Sequence, residues 1–337
     1  MCERRVNWID SVRGIAISLV VYGHVIGGYT GNYSSIEYQN FVTCNKKIIY
    51  SFHMPLFFMI SGYVYALGKN VLNIKQYRNF ISKKARQLLI PYYVCSVVQI
   101  LIKLPLQGKI SSVLSWKDIF LLPIKPVDQY WYIYVLFFMF CIQPSLEMNH
   151  KDSLALAFIM LLVGKGLSLY GGAKINAWFA VPIKILSFYL YFYIGIILRR
   201  KNRHYSKKHC ALFLTAFCLL TPLSLNCNSE YAFVNTFLSI ILAVIGSFMV
   251  ISLSQSVHIV GNCKVLDILG KSSMMIYIIH VLLCAVIRVA LLKININNFY
   301  VSVVIGTALS LLIPTIADYY WKHFTGKYIS NSKKSYV

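Results

Sequence analysis

The stretch WIDSVRGIAISLVVYGHVIGG, residues 8–28, reads as a membrane span into which Asp10, Arg13 and His24 have been set. An apolar helix needs no histidine to cross a bilayer, and a polar group in hydrocarbon is costly without a partner or a task. At 100° per residue, the eleven steps from Arg13 to His24 amount to three turns within about 20°. The two side chains therefore share a face, about 16 Å apart along the axis at 1.5 Å per residue. Asp10 stands three residues before Arg13, in reach of an ion pair.

Similar stretches recur along the chain. The chain has 337 residues, of which 58% are hydrophobic and only 13% charged, which excludes an ordinary soluble domain. Apolar segments fall near residues 12–31, 50–68, 88–105, 130–147, 153–170, 179–198, 210–226, 233–253, 272–292 and 299–321. Most have the length that crosses about 30 Å of hydrocarbon. The expected fold is an all-α integral membrane protein, a polytopic bundle of about ten transmembrane helices forming one domain over 1–337. Residues 322–337 are expected as a short basic cytoplasmic tail.

A formal charge of +23, from 33 Lys and Arg against 10 Asp and Glu, would suit nucleic acid in a soluble protein. Here the basic residues gather in two connections. One covers 69–87 and holds Lys69, Lys75, Arg78, Lys83, Lys84 and Arg86; the other covers 199–209 and holds Arg199, Arg200, Lys201, Arg203, Lys207 and Lys208. That asymmetry belongs to cytoplasmic loops, so both termini are expected in the cytoplasm, the protein in the cytoplasmic (inner) membrane, and membrane lipids rather than nucleic acid as its surroundings. No cleavable signal peptide is expected, since His24 follows the first apolar run without a small-residue cleavage site. The nine Cys residues form no C-x-x-C pair and are expected to be small buried hydrophobes.

Polar groups collect at a few further places. In SFHMPLFFMISGYVYAL, residues 51–67, His53 and Pro55 are expected near the outer helix end and Ser61-Gly62 near the middle. His53 can share a cavity with His24 or sit at the interface with water, and Ser61-Gly62 can serve a site or a close helix contact. The ninth span carries Tyr277, His280 and, eight residues further on, Arg288, which either borders the same cavity or snorkels outward. Asp128 and Trp131 open the fourth span among tyrosines, as an interfacial belt or a platform for a glycan. Lys83, Lys84 and Arg86 can bind lipid headgroups or the phosphates of a nucleotide-containing donor. No G-x-x-x-x-G-K-[ST] loop and no H-E-x-x-H pair occurs, and no histidine spacing asks for a metal. Chemically, His24 suits a general base, because imidazole can take a proton near neutral pH, whereas Arg13 stays protonated and suits an anion.

Five ordered blocks, WIDSVRGIAISLVVYGH (8–24), FHMPLFFMISGY (52–63), KKARQLLIPYY (83–93), QYWYIYVLF (129–137) and GKSSMMIYIIH (270–280), resemble the membrane-bound acyltransferase 3 family. The resemblance implies an O-acyltransferase that moves acetyl from cytoplasmic acetyl-CoA, a substrate and not a bound cofactor, to a sugar hydroxyl of a surface or extracytoplasmic polysaccharide. It also implies catalysis at Arg13 and His24. The family's basic pair at the start of the third span is two arginines three apart, and this chain has Lys83 and Arg86, so the planar fork is lost at one position. With no hydrolase-like domain appended, acceptor selection is expected from the membrane core and its outer loops. The competing function is a transporter or exporter of lipid-linked sugar or polysaccharide, whose path the same buried polar groups would line.

Overall fold

Helices account for the regular structure among the described residues, and no strand occurs there. The computed structural model describes residues 7–29, 35–68, 73–104, 115–148, 153–171, 177–226, 232–260, 263–296 and 298–334. In chain order the helices are α1 (Asn7–Gly28), α2 (Ile36–Tyr65), α3 (Ile74–Lys103), α4 (Lys117–Leu121), α5 (Trp131–Met148) and α6 (Ser153–Gly171). They are followed by α7 (Ala177–Arg200), α8 (Lys207–Asn226), α9 (Ala232–Val260), α10 (Lys264–Lys271), α11 (Ser273–Lys293) and α12 (Phe299–Lys334).

Nine helices among the described residues are long and apolar enough to cross a membrane, against the ten expected. The expected fourth span is α5, a helix of 18 residues that is not among the nine. Its polar residues Gln143 and Glu147 are engaged within the protein: Tyr189 donates to Gln143 Oε1 at 2.6 Å, and Gln143 Nε2 and Tyr65 Oη donate to Glu147 at 3.1 and 2.7 Å.

Large apolar side chains point outward from several helices, among them Phe158 and Leu162 on α6, Leu212 and Leu219 on α8, and Val304 and Leu312 on α12. On a soluble protein such a surface would invite aggregation; in a bilayer it is the lipid-facing surface, with the backbone bonds satisfied inside each helix.

Helices outrun the apolar windows at several ends. The basic segment 69–87, expected as a connection, is helical from Ile74 onward. Lys, Arg and Gln are good helix formers, and the Asn73 side chain caps the start by accepting from the Gln76 backbone N–H. Helix α2 likewise begins earlier than its apolar window, at Ile36, so Pro55 and His53 lie in its interior and not near its end. A proline there withholds one N–H from the ladder, which membrane helices tolerate. The segment expected as a tail is helical to Lys334.

The chain divides into two compact units. The first holds residues 1–54, 204–227 and 238–337. Within it α10 lies against the N-terminal half of α1: a methyl group on Gly270 would run into the Asp10 carbonyl oxygen, so only glycine permits this approach. Ser11 Oγ donates to Asp267 at 2.5 Å, and Ser272 Oγ donates to Asp318 at 2.7 Å, tying α10, α11 and α12 around that end of α1. The second unit holds residues 55–203 and 228–237. There α2 and α7 touch through a reciprocal pair, with Gly62 against the Phe192 carbonyl and Gly195 against the Met59 carbonyl. Ser61-Gly62 thus serves a close helix contact.

Candidate functional site

Within the first unit, α1 carries Asp10, Arg13 and His24, and α11 carries Tyr277, His280 and Arg288. The His24 and His280 rings meet edge to face, centroids 4.9 Å apart at 69°. His280 is fully buried, and its Nδ1 lies 2.7 Å from the Tyr277 carbonyl oxygen and 3.2 Å from that of Ile276. A carbonyl only accepts, so Nδ1 carries the hydrogen, and the neutral ring presents Nε2 as a bare acceptor. That Nε2 is buried and has no hydrogen-bond partner in the structure.

His53 repeats the device. Its Nδ1 donates to the Ile49 carbonyl at 2.8 Å, its ring lies 4.9 Å from Tyr50, and it is buried. His53 belongs to the same unit as His24 and His280. The unit thus holds these three imidazoles, two of which have Nδ1 engaged by carbonyls of their own helices. No group of three or more His, Cys, Asp and Glu that could hold a metal ion is found among the described residues. The Tyr277 ring lies tilted beside that of His280, centroids 5.8 Å apart at 41°.

Arg13 and Asp10 lie 4.0 Å apart, with Asp10 buried and Arg13 one-third exposed. A guanidinium stays protonated and presents its donors in a planar fork, which suits a carboxylate or a phosphate. Arg288 is drawn elsewhere: its Nη1 donates to the Gly28 carbonyl and caps the C-terminus of α1, where a cation is favoured.

The other expected site residues lie in the second unit. Ser61 Oγ and Tyr132 Oη are 3.0 Å apart, so Ser61 already has a partner. Asp128 takes left-handed backbone (φ 42°) and accepts from Gln99 at 2.5 Å and from Lys103. These bonds tie the start of α5 to the end of α3. Trp131 is half-buried, with the Lys184 ammonium 4.5 Å from its ring centre. Of the basic cluster, Lys83 and Arg86 are exposed on α3, while Lys84 turns inward over the Phe140 ring at 4.5 Å.

Several functional candidates escaped the sequence reading. Lys165 and Lys184 are charges inside apolar segments, a signal as visible as His24. The Glu147 cluster was less accessible, because it joins Tyr65, Gln143 and Arg200 from three helices. Among described cysteines all seven are free and Cys218 is exposed, the others half-buried rather than buried.

Comparison with known proteins adds independent findings. Two curated relatives are both nodulation protein NolL. That of Mesorhizobium japonicum is 29% identical over 139 residues, covering 39% of this chain and 33% of the relative. That of Sinorhizobium fredii is 35% identical over 95 residues, covering 27% and 23%. The chain thus spans a third or less of the length of these relatives. No solved structure is a significant match. A family model described as an acyltransferase domain matches residues 6–319, which takes in α1 with its histidine, the basic face of α3 and the whole of α11. On that near-complete match, the chain belongs to this family of membrane acyltransferases.

Proposed function

We propose that the protein is an O-acyltransferase of the cytoplasmic membrane that moves acetyl from cytoplasmic acetyl-CoA to a sugar hydroxyl of a surface or extracytoplasmic polysaccharide. The observation that carries the reading is the contact between His24 and the tautomer-locked His280 on a chain of acyltransferase family. Membership favours acyl transfer, and the imidazole pair supplies the base that such a reaction needs.

In this reading both termini are cytoplasmic. Donor phosphates are held by Lys83 and Arg86, one turn apart on the exposed face of α3, or by Arg13 at the N-terminal end of α1. His24 takes the proton of the sugar hydroxyl as its oxygen attacks the thioester carbonyl. The carbon–sulfur bond breaks, and the thiolate of CoA leaves and recovers the proton, giving the acetyl ester and the free thiol. His280 Nε2, an acceptor with nothing else to accept, stabilises the N–H of His24 while it holds the proton.

The test uses purified protein in sealed vesicles with labelled acetyl-CoA on one face and saccharide acceptor on the other. Alkali-labile label in the saccharide is the expected result. Movement of saccharide across the bilayer without acetylation would replace the enzyme by a carrier.

A further inference from the structure

Lys165 and Lys184 stand at one depth of the second unit. Helices α6 and α7 are consecutive, α6 ending at Gly171 and α7 beginning at Ala177. Lys165 lies six residues before that end and Lys184 seven after that start, so each is about 10 Å from the same end of the pair at 1.5 Å per residue. Packing agrees: a methyl on Gly164 would lie 2.6 Å from Ser187 N and 2.7 Å from its Oγ, so the residue before Lys165 abuts α7 one turn beyond Lys184. Both lysines are half-buried within candidate membrane spans.

A lysine at such depth is costly unless it is paired or bound to something. Neither has an acidic partner among the described residues. The acids described in this unit are engaged elsewhere, Asp118 with Lys125 at 3.7 Å, Asp128 with Lys103, and Glu147 with Arg200 at 2.5 Å. Nor does the Lys184 ammonium simply reach outward: it is held over the Trp131 ring, whose indole in turn lies 5.5 Å from Phe188. A ring face stabilises an ammonium by about 0.5–2 kcal/mol but accepts no conventional hydrogen bond, so its N–H groups remain available to an oxyanion.

From this we infer that Lys165 and Lys184 form an anion site that binds the phosphate or carboxylate carried by the acceptor saccharide, with Trp131 as the residue that positions Lys184. The identity of the ligand as acceptor rests on the acyltransferase reading. The anion site itself does not. Two lysines at one level of the helix pair suit a doubly charged phosphate, to which each ammonium would contribute a charge-assisted bond.

The test measures binding apart from catalysis. The full chain, as wild type and as His24→Ala, is placed in phosphatidylcholine nanodiscs and titrated with glucose 1-phosphate and with methyl glucoside. Saturable binding of the sugar phosphate, preferred over the neutral sugar and weakened about tenfold or more in a Lys165→Met/Lys184→Met double variant, is expected; charge-assisted bonds of about 1.5–3 kcal/mol give that scale. Lys184→Arg should retain most of the binding, and Trp131→Leu should weaken it. Unchanged binding in the double variant, or equal binding of the neutral sugar, overturns the site. If the double variant does not fold, Lys165→Gln and Lys184→Gln singly give the same reading. Nanodiscs containing phosphatidylglycerol separate the sources: lysine-dependent displacement of the sugar phosphate by that lipid would assign the site to a headgroup and overturn the acceptor assignment. Binding retained in His24→Ala, together with a wild type that transfers no acetyl, would leave the anion site standing while the enzymatic reading fails.

Discussion

At the scale of single residues, His280 spends its Nδ1 hydrogen on the Tyr277 carbonyl, so anything it contributes to chemistry passes through Nε2. His280→Phe keeps an aromatic ring of similar bulk and removes that nitrogen. The expected result is a kcat lowered about tenfold to a hundredfold with KM little changed, the equivalent of about 1.4–2.7 kcal/mol of transition-state stabilisation. Rate measurements on folded protein, judged by an unchanged thermal transition, check this. His24 and His280 were legible because a histidine inside an apolar window stands out on hydropathy alone. That His53 and His280 would be held in the same tautomer follows from helix carbonyls three and four residues back, a local rule that sequence already contains. The capture of Ser61 by Tyr132, 71 residues away, depends on how helices pack and could not be read.

At the scale of elements, α3 sorts its basic residues by face. Lys83 and Arg86 are exposed, and Lys84 lies over Phe140. Lys83→Gln and Arg86→Gln are each expected to raise KM for the acyl-CoA donor about threefold to tenfold, whereas Lys84→Gln is expected to act on thermal stability and leave donor KM nearly unchanged. Steady-state kinetics with varied donor separates the three. The sequence announced the cluster as a loop because hydropathy falls where Lys and Arg begin, although those residues propagate a helix readily. The contact of α10 with α1 gives a second expectation. Gly270→Ala sets a methyl against the Asp10 carbonyl and should destabilise the protein by about 1–3 kcal/mol, seen as a lower thermal midpoint in detergent. Nothing in the hydropathy of KVLDILGK marks this short helix as the partner of α1; its polar Asp267 meets Ser11 only once both helices are folded.

At the scale of the whole molecule, the apolar segments, their lengths and the bias of Lys and Arg fixed the class early, because a bilayer imposes helix length and charge asymmetry directly. The number of crossings is where α5 matters. Ten crossings, α5 counted beside the nine long apolar helices among the described residues, would put both ends of the chain on one face. Reporter fusions to the N-terminus and after Lys334 are expected to report the same side, and opposite sides would remove α5 from the crossings.

The central claim is that His24 is the base of an acyl transfer. The direct measurement compares wild type and His24→Ala, both purified and with matching thermal transitions, for labelled acetyl passed from acetyl-CoA to a saccharide. Acetylated saccharide is expected from wild type, with a loss of at least about a hundredfold in the variant, the scale of removing a general base. Transfer by His24→Ala at the wild-type rate would contradict the claim.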